Sequence, residues 1–63
     1  MSIAENVRKF REALKMTQTG LGDKVGVGRS YIAQIERGSK VPSMYMGEAL
    51  AKALGCSVED LLK

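Results

Sequence analysis

Arg29, Ser30 and Gln34, with Arg37 one turn further on, carry the most informative chemistry in this chain. An arginine guanidinium presents a planar fork that matches the two acceptors on the edge of guanine, a glutamine amide matches the donor and acceptor of adenine, and a serine hydroxyl pairs with either. At about 100° per residue, with Arg29 as zero, Ala33, Arg37, Ser30 and Gln34 fall within an arc of roughly 140°. Tyr31, Ile32 and Ile35 occupy the opposite side. One face of such a helix is apolar, and the other is lined with groups that hydrogen-bond to base edges. Ala33, between them, is small enough to let the helix sink against a base pair or a thymine methyl. The bland alternative is a solvated surface, so the elements around this helix have to discriminate.

The stretch from Thr17 to Gly38 holds a short helix, a tight turn at Gly26 and then the helix just described. Thr17 can cap the first of these, with Leu21 and Val25 facing inward. Gly28 stands at the start of the second, a cap with no side chain in the way of a ligand, and Gly38 ends it where a left-handed residue is commonly needed. This is a helix-turn-helix over about residues 17 to 37. Upstream, Ser2 can cap a helix running to about Lys15, with Glu5 completing a capping box. Ile3, Val7, Phe10 and Leu14 make its apolar stripe. Downstream, Ser39 to Pro42 form a loop, and Ser43 caps a helix reaching Leu54 that turns Met46, Leu50, Ala53 and Leu54 inward until Gly55 stops it. Ser57 caps a last short helix, Val58 to Leu62, with Glu59 and Asp60 where the helix dipole favours negative charge. Five helices result, in one all-α domain spanning residues 1 to 63, with no repeat.

Charge and composition narrow the function. Between Arg8 and Lys40 stand eight basic residues (Arg8, Lys9, Arg11, Lys15, Lys24, Arg29, Arg37 and Lys40) against Glu12, Asp23 and Glu36, while the flanking segments are slightly acidic. The positive charge thus belongs to the part with the polar helix face, as suits a surface facing phosphates. A single cysteine, Cys56, and no histidine leave no zinc finger, disulfide framework or Cys-His pair to build. Cys56 lies near Leu54 and Val58 and reads as a buried small hydrophobe. No metal, cofactor or small-molecule ligand is expected, and no carboxylate or nucleophile has a partner at catalytic spacing, so an enzyme is not expected. No apolar run is long enough to cross a membrane and no signal-peptide core is visible, which points to a cytoplasmic protein.

Thr17-Gln18, the Gly26-Val27 turn, Arg29-Ser30-Tyr31-Ile32, Gln34-Ile35-Glu36-Arg37-Gly38, Pro42-Ser43 and Ala51-Lys52-Ala53-Leu54-Gly55 together resemble the Cro and repressor type helix-turn-helix family. That family, also called lambda repressor-like or XRE, includes phage repressors and restriction-modification controllers. The resemblance covers nearly the whole chain. It implies a compact five-helix fold and a transcriptional regulator, most often a repressor, that binds double-stranded DNA as a homodimer. A reading helix this short spans only a few base pairs, and a second copy supplies the other half-site.

By the same resemblance, Arg29, Ser30 and Gln34 match base-reading positions, and Tyr31 matches a residue that also reaches DNA in controller-like relatives. Gln18 matches a glutamine that binds a phosphate and braces the first residue of the reading helix. Lys24, Arg37 and Lys40 are further phosphate candidates, and Arg8 and Lys9 can add long-range attraction. Arg11 and Glu36 match a partly buried ion pair, and Val58 and Leu61 are candidates for the dimer interface or for the core. Gly20, Gly22 and Gly47 depart from the family pattern, each costing about 1 kcal/mol relative to alanine inside a helix. Gly22 can allow close approach of the second and third helices, and Met44 or Met46 can fill the space at Gly47. The alternative function is a protein-interaction module, antitoxin-like or adaptor-like, that uses the last helix or the Met44-Tyr45-Met46 cluster.

Overall fold

The computed structural model describes residues 2–63, which form five helices: α1 (Ile3–Ala13), α2 (Gln18–Val25), α3 (Arg29–Arg37), α4 (Met44–Leu54) and α5 (Val58–Leu62). Ser2, Thr17, Ser43 and Ser57 each sit in extended backbone and accept a hydrogen bond from an N–H three residues on, which fixes where four of the helices begin. The reciprocal arm of a capping box is made at Ser57, whose N–H donates to the Asp60 carboxylate; among the described hydrogen bonds Glu5 does not return one to Ser2. Gly28 begins α3 without a side-chain cap.

The apolar stripes of all five helices meet in one core of Val7, Leu21, Ile32, Ile35, Leu50, Ala51, Leu54 and Leu61. Phe10, Met16, Val25, Tyr31 and Met46 pack around it half-buried. Asn6 is a polar residue buried in this core, and its Nδ2 donates to the Leu61 carbonyl at 2.7 Å, tying α1 to the end of α5. A hydrogen bond inside the core satisfies both groups and fixes their alignment.

Two regions differ from expectation. The first helix ends at Ala13, two residues early, because Lys15 takes a left-handed conformation (φ 58°). Met16 N–H then closes on the Arg11 carbonyl and Lys15 N–H on that of Glu12, a Schellman ending built without glycine. Leu14 therefore leaves the apolar stripe and is half exposed, and Met16 takes its place against the core. On α4, Met44 does not fill the space at Gly47: it is 82% exposed, and a Cβ at residue 47 would meet nothing within 4 Å.

The turn between α2 and α3 is tight for two reasons. Gly26 adopts φ 82°, and Val27 N–H returns to the Gly22 carbonyl at 2.9 Å. Gly22 is buried where a Cβ would lie 2.6 Å from the Val27 carbonyl oxygen. Glycine there lets the chain entering α3 lie directly on α2.

Candidate nucleic-acid interface

The outer arc of α3 is the surface to which the polar side chains converge. Arg29 and Ser30 are exposed, while Ala33 and Gln34 are partly exposed beside them. Among the described residues, no hydrogen bond uses the Ser30 hydroxyl or the Gln34 side-chain amide, so both remain available to a ligand. Tyr31 lies partly against the core, with the Lys40 ammonium 5.2 Å from its ring centroid. A cation at that distance over an aromatic face is attracted by the ring quadrupole, so Lys40 is held beside the Tyr31 ring of α3.

Behind the arc runs a polar chain. Arg11 donates to both oxygens of Glu36, Nε to Oε2 at 2.6 Å and Nη2 to Oε1 at 3.0 Å, and its Nη1 donates to the Met16 carbonyl at 2.7 Å. The pair is enclosed, with side-chain exposures of 12% and 5%. The early end of α1 is what brings the Met16 carbonyl within reach of Arg11. Glu36 Oε1 also accepts from Gln18 Nε2 at 3.1 Å, and Gln18 Oε1 accepts from Arg29 Nη1 at 3.2 Å. Burial pushes the Glu36 carboxyl upward, but hydrogen bonds from Arg11 and Gln18, with the charges of Arg11 and Arg8, bring it below its ordinary value. The bond to Glu36 raises Arg11 against the opposing effect of burial. Both groups are therefore ionised throughout the neutral range.

A cleft of about 280 Å³ opens over this chain, lined by Arg8, Arg11, Gln18, Arg29, Ala33, Glu36 and Arg37. Of the four arginines, Arg11 neutralises Glu36 and Arg8 pairs with Glu12 at 3.3 Å, which leaves Arg29 and Arg37 in excess, so the cleft is electropositive and suited to an anion such as a phosphate. Lys24 is not brought here; it lines a separate groove with Leu14, Met16, Lys52 and Leu54. Nor is Leu61 open to a second chain, since at 2% exposure it belongs to the core; Leu62 turns outward in its place, and Val58 is half-buried. Cys56 is half-buried, and burial, with the nearby Asp60 charge, raises its thiol pKa. No group of metal-ligating side chains occurs among the described residues. None of the described helices is long and apolar enough to cross a membrane.

Two parts of this arrangement escaped sequence reasoning. Asn6 was visible only as a polar residue spaced with Ile3, Val7 and Phe10 on the inward face of α1. The Gln18–Glu36 bond joins residues 18 apart in sequence and left no periodic signal.

Residues 7–61 match the helix-turn-helix family model. The chain is 37% identical over 62 residues to the immunity repressor protein of Bacillus phage phi105, covering 98% of this chain and 43% of that protein. To repressor protein C2 of Salmonella phage P22 it is 43% identical over 61 residues, covering 97% of this chain and 28% of the repressor. It thus spans less than half the length of either phage repressor. Control protein C.SmaI of Serratia marcescens is 38% identical over 60 residues, with 95% of this chain and 71% of that protein covered. The crystal structure of the P22 c2 repressor with a synthetic operator superposes with a TM-score of 0.94 at 41% identity, covering 100% of this chain and 96% of the other. The chain belongs to the helix-turn-helix family of the Cro and repressor type, a family of DNA-binding transcriptional regulators.

Proposed function

We propose that residues 1–63 form one sequence-specific domain that binds double-stranded DNA in the major groove through α3 and represses transcription as a homodimer. The observation that carries this reading is the pairing of an open polar arc on α3 with an arginine already braced at its first turn. Arg29, Ser30 and Gln34 lie where a docked recognition helix presents side chains to base edges. Gln18, Arg37 and Lys40, with Arg8 at the rim of the cleft, take the backbone phosphates on either side. Lys40 reaches its phosphate from the Tyr31 ring. Val58 and the exposed Leu62 are the apolar α5 side chains open to a second copy. The likeness to the P22 repressor, whose structure holds an operator, supports DNA as the ligand.

Mobility shift against a random duplex at two salt concentrations tests this directly. Phosphate contacts release counterions, so affinity should fall steeply with salt, by about 0.9 in the log–log slope for each phosphate neutralised. Ultracentrifugation on a duplex with two half-sites should give two chains per duplex. A second reading, a protein-interaction module, draws on the exposed Val41, Met44 and Tyr45 before and at the start of α4. It predicts no salt-dependent duplex binding in the same experiment.

A further inference from the structure

Glu36 stands between two arginines that do different work. Arg11 grips it from the side of α1, while on the other side Glu36 meets Gln18, which in turn meets Arg29. A primary amide has a donor end and an acceptor end, whereas an ionised carboxylate only accepts. Glu36 therefore dictates how Gln18 is turned: the NH2 group faces the carboxylate, and the carbonyl oxygen faces Arg29. The flipped amide would set oxygen against carboxylate and NH2 against guanidinium, replacing two hydrogen bonds by two repulsions.

We propose that Glu36 is a positioning residue for sequence discrimination, acting through the Gln18 amide to hold the Arg29 guanidinium in the orientation that meets a base edge. The inference rests on the reading of Arg29 as a base-contacting residue. It goes beyond the brace from Gln18 to Arg29, because it places the origin of that brace in the buried ion pair. One N–H of Arg29 is committed to Gln18 Oε1, and the rest of its fork remains free for a bidentate acceptor. The side chain is ordered before the ligand arrives, so less freedom is lost on binding. Arg11 contributes by keeping Glu36 charged, and with it the direction of the amide.

The test uses anisotropy on duplexes that carry the selected site and single base-pair changes in it, with the parent, Arg29→Ala, Gln18→Met, Glu36→Gln and the Gln18→Met/Glu36→Gln double variant. Arg29→Ala identifies the base pair that Arg29 reads; if it alters no preference, the base-reading assignment itself has failed, a result separable from every other. Gln18→Met and Glu36→Gln should each remove much of the roughly 5- to 150-fold discrimination a bidentate contact gives at that pair. Preference at the pair read by Gln34 should stay within about twofold, and the double variant should do no worse than Gln18→Met. Loss of the Gln18 phosphate contact lowers affinity for every duplex alike and leaves the ratios between duplexes unchanged; equal loss of preference at every base pair, or additive losses of preference in the double variant, would overturn the proposal. Because Glu36→Gln can fail to fold, the free parent protein supplies a second readout. Its Gln18 side-chain amide resonances should follow the titration of the Glu36 carboxyl, and resonances indifferent to it would contradict the coupling.

Discussion

Helix α3 and the segment that follows it are built on opposite principles. Along α3, Arg29 in the first turn is tied through Gln18 to Glu36 in the last and so to Arg11, and four side chains from three helices form one satisfied network. Beyond the C-terminal end, Val41, Met44 and Tyr45 stand in solvent at 78 to 82% exposure, and Gly47 leaves open space around α4. The first region is stabilised by charge-assisted bonds that are costly to break, and the second makes few contacts that a mutation could remove. The bonds are thus concentrated around the guanidinium proposed to meet a base edge and are few where the chain passes from one helix to the next.

The largest effect is expected at the ion pair. Arg11→Met leaves the Glu36 carboxylate enclosed and without its main partner, at a cost of about 3 to 5 kcal/mol, a large fraction of the stability of so small a domain. Thermal melting measures it, and an unchanged Tm would show that the pair contributes nothing. The same network predicts acid sensitivity. Because the Glu36 carboxyl is held below its ordinary value, its stabilisation is complete above the unfolded value of about 4.3 and is lost as pH falls through the folded one. Glu36→Gln, if it folds, should lose that part of the acid dependence.

Gly22→Ala comes next. The new methyl would meet the Val27 carbonyl at 2.6 Å, a backbone atom that cannot move without shifting the start of α3. Overpacking of this kind costs about 1 to 3 kcal/mol, and duplex affinity should fall with it because the reading helix is displaced. Arg37→Ala and Lys40→Ala act on binding alone. Each should weaken all duplexes about equally and flatten the log–log salt slope by about 1, while the melting temperature stays close to that of the parent. The smallest effect, and one of opposite sign, belongs to the open region. Gly47→Ala meets nothing and should stabilise by up to about 1 kcal/mol, visible as a higher Tm with unchanged affinity. A loss of stability there would break the contrast between the two regions.

What could be read in advance follows the same division. Caps, turns and the α3 arc are local: Thr17, Gly26, Ser43 and Ser57 act on backbone a few residues away, and the spacing of Arg29, Ala33 and Arg37 fixes a face whatever packs behind it. The end of α1 is not legible in the sequence because Lys15 takes a conformation usually left to glycine, and side-chain type alone does not announce that. The Asn6–Leu61 tie spans 55 residues, and no periodicity encodes which carbonyl a buried amide will find. Leu61 itself shows the limit of helical spacing on a five-residue helix, where one apolar side chain fills the core and the next, Leu62, faces solvent.

The central claim, that α3 reads bases with a pre-held Arg29 and an open Gln34, is tested most directly by selecting binding sites from a random duplex pool with the parent, Arg29→Ala and Gln34→Ala. The parent should return a two-fold symmetric site with half-sites about one helical turn apart. Each variant should lose preference at its own pair of symmetry-related positions, by about 1 to 3 kcal/mol per contact, and keep the rest of the consensus. Recovery of the parent's consensus by both variants would contradict the account.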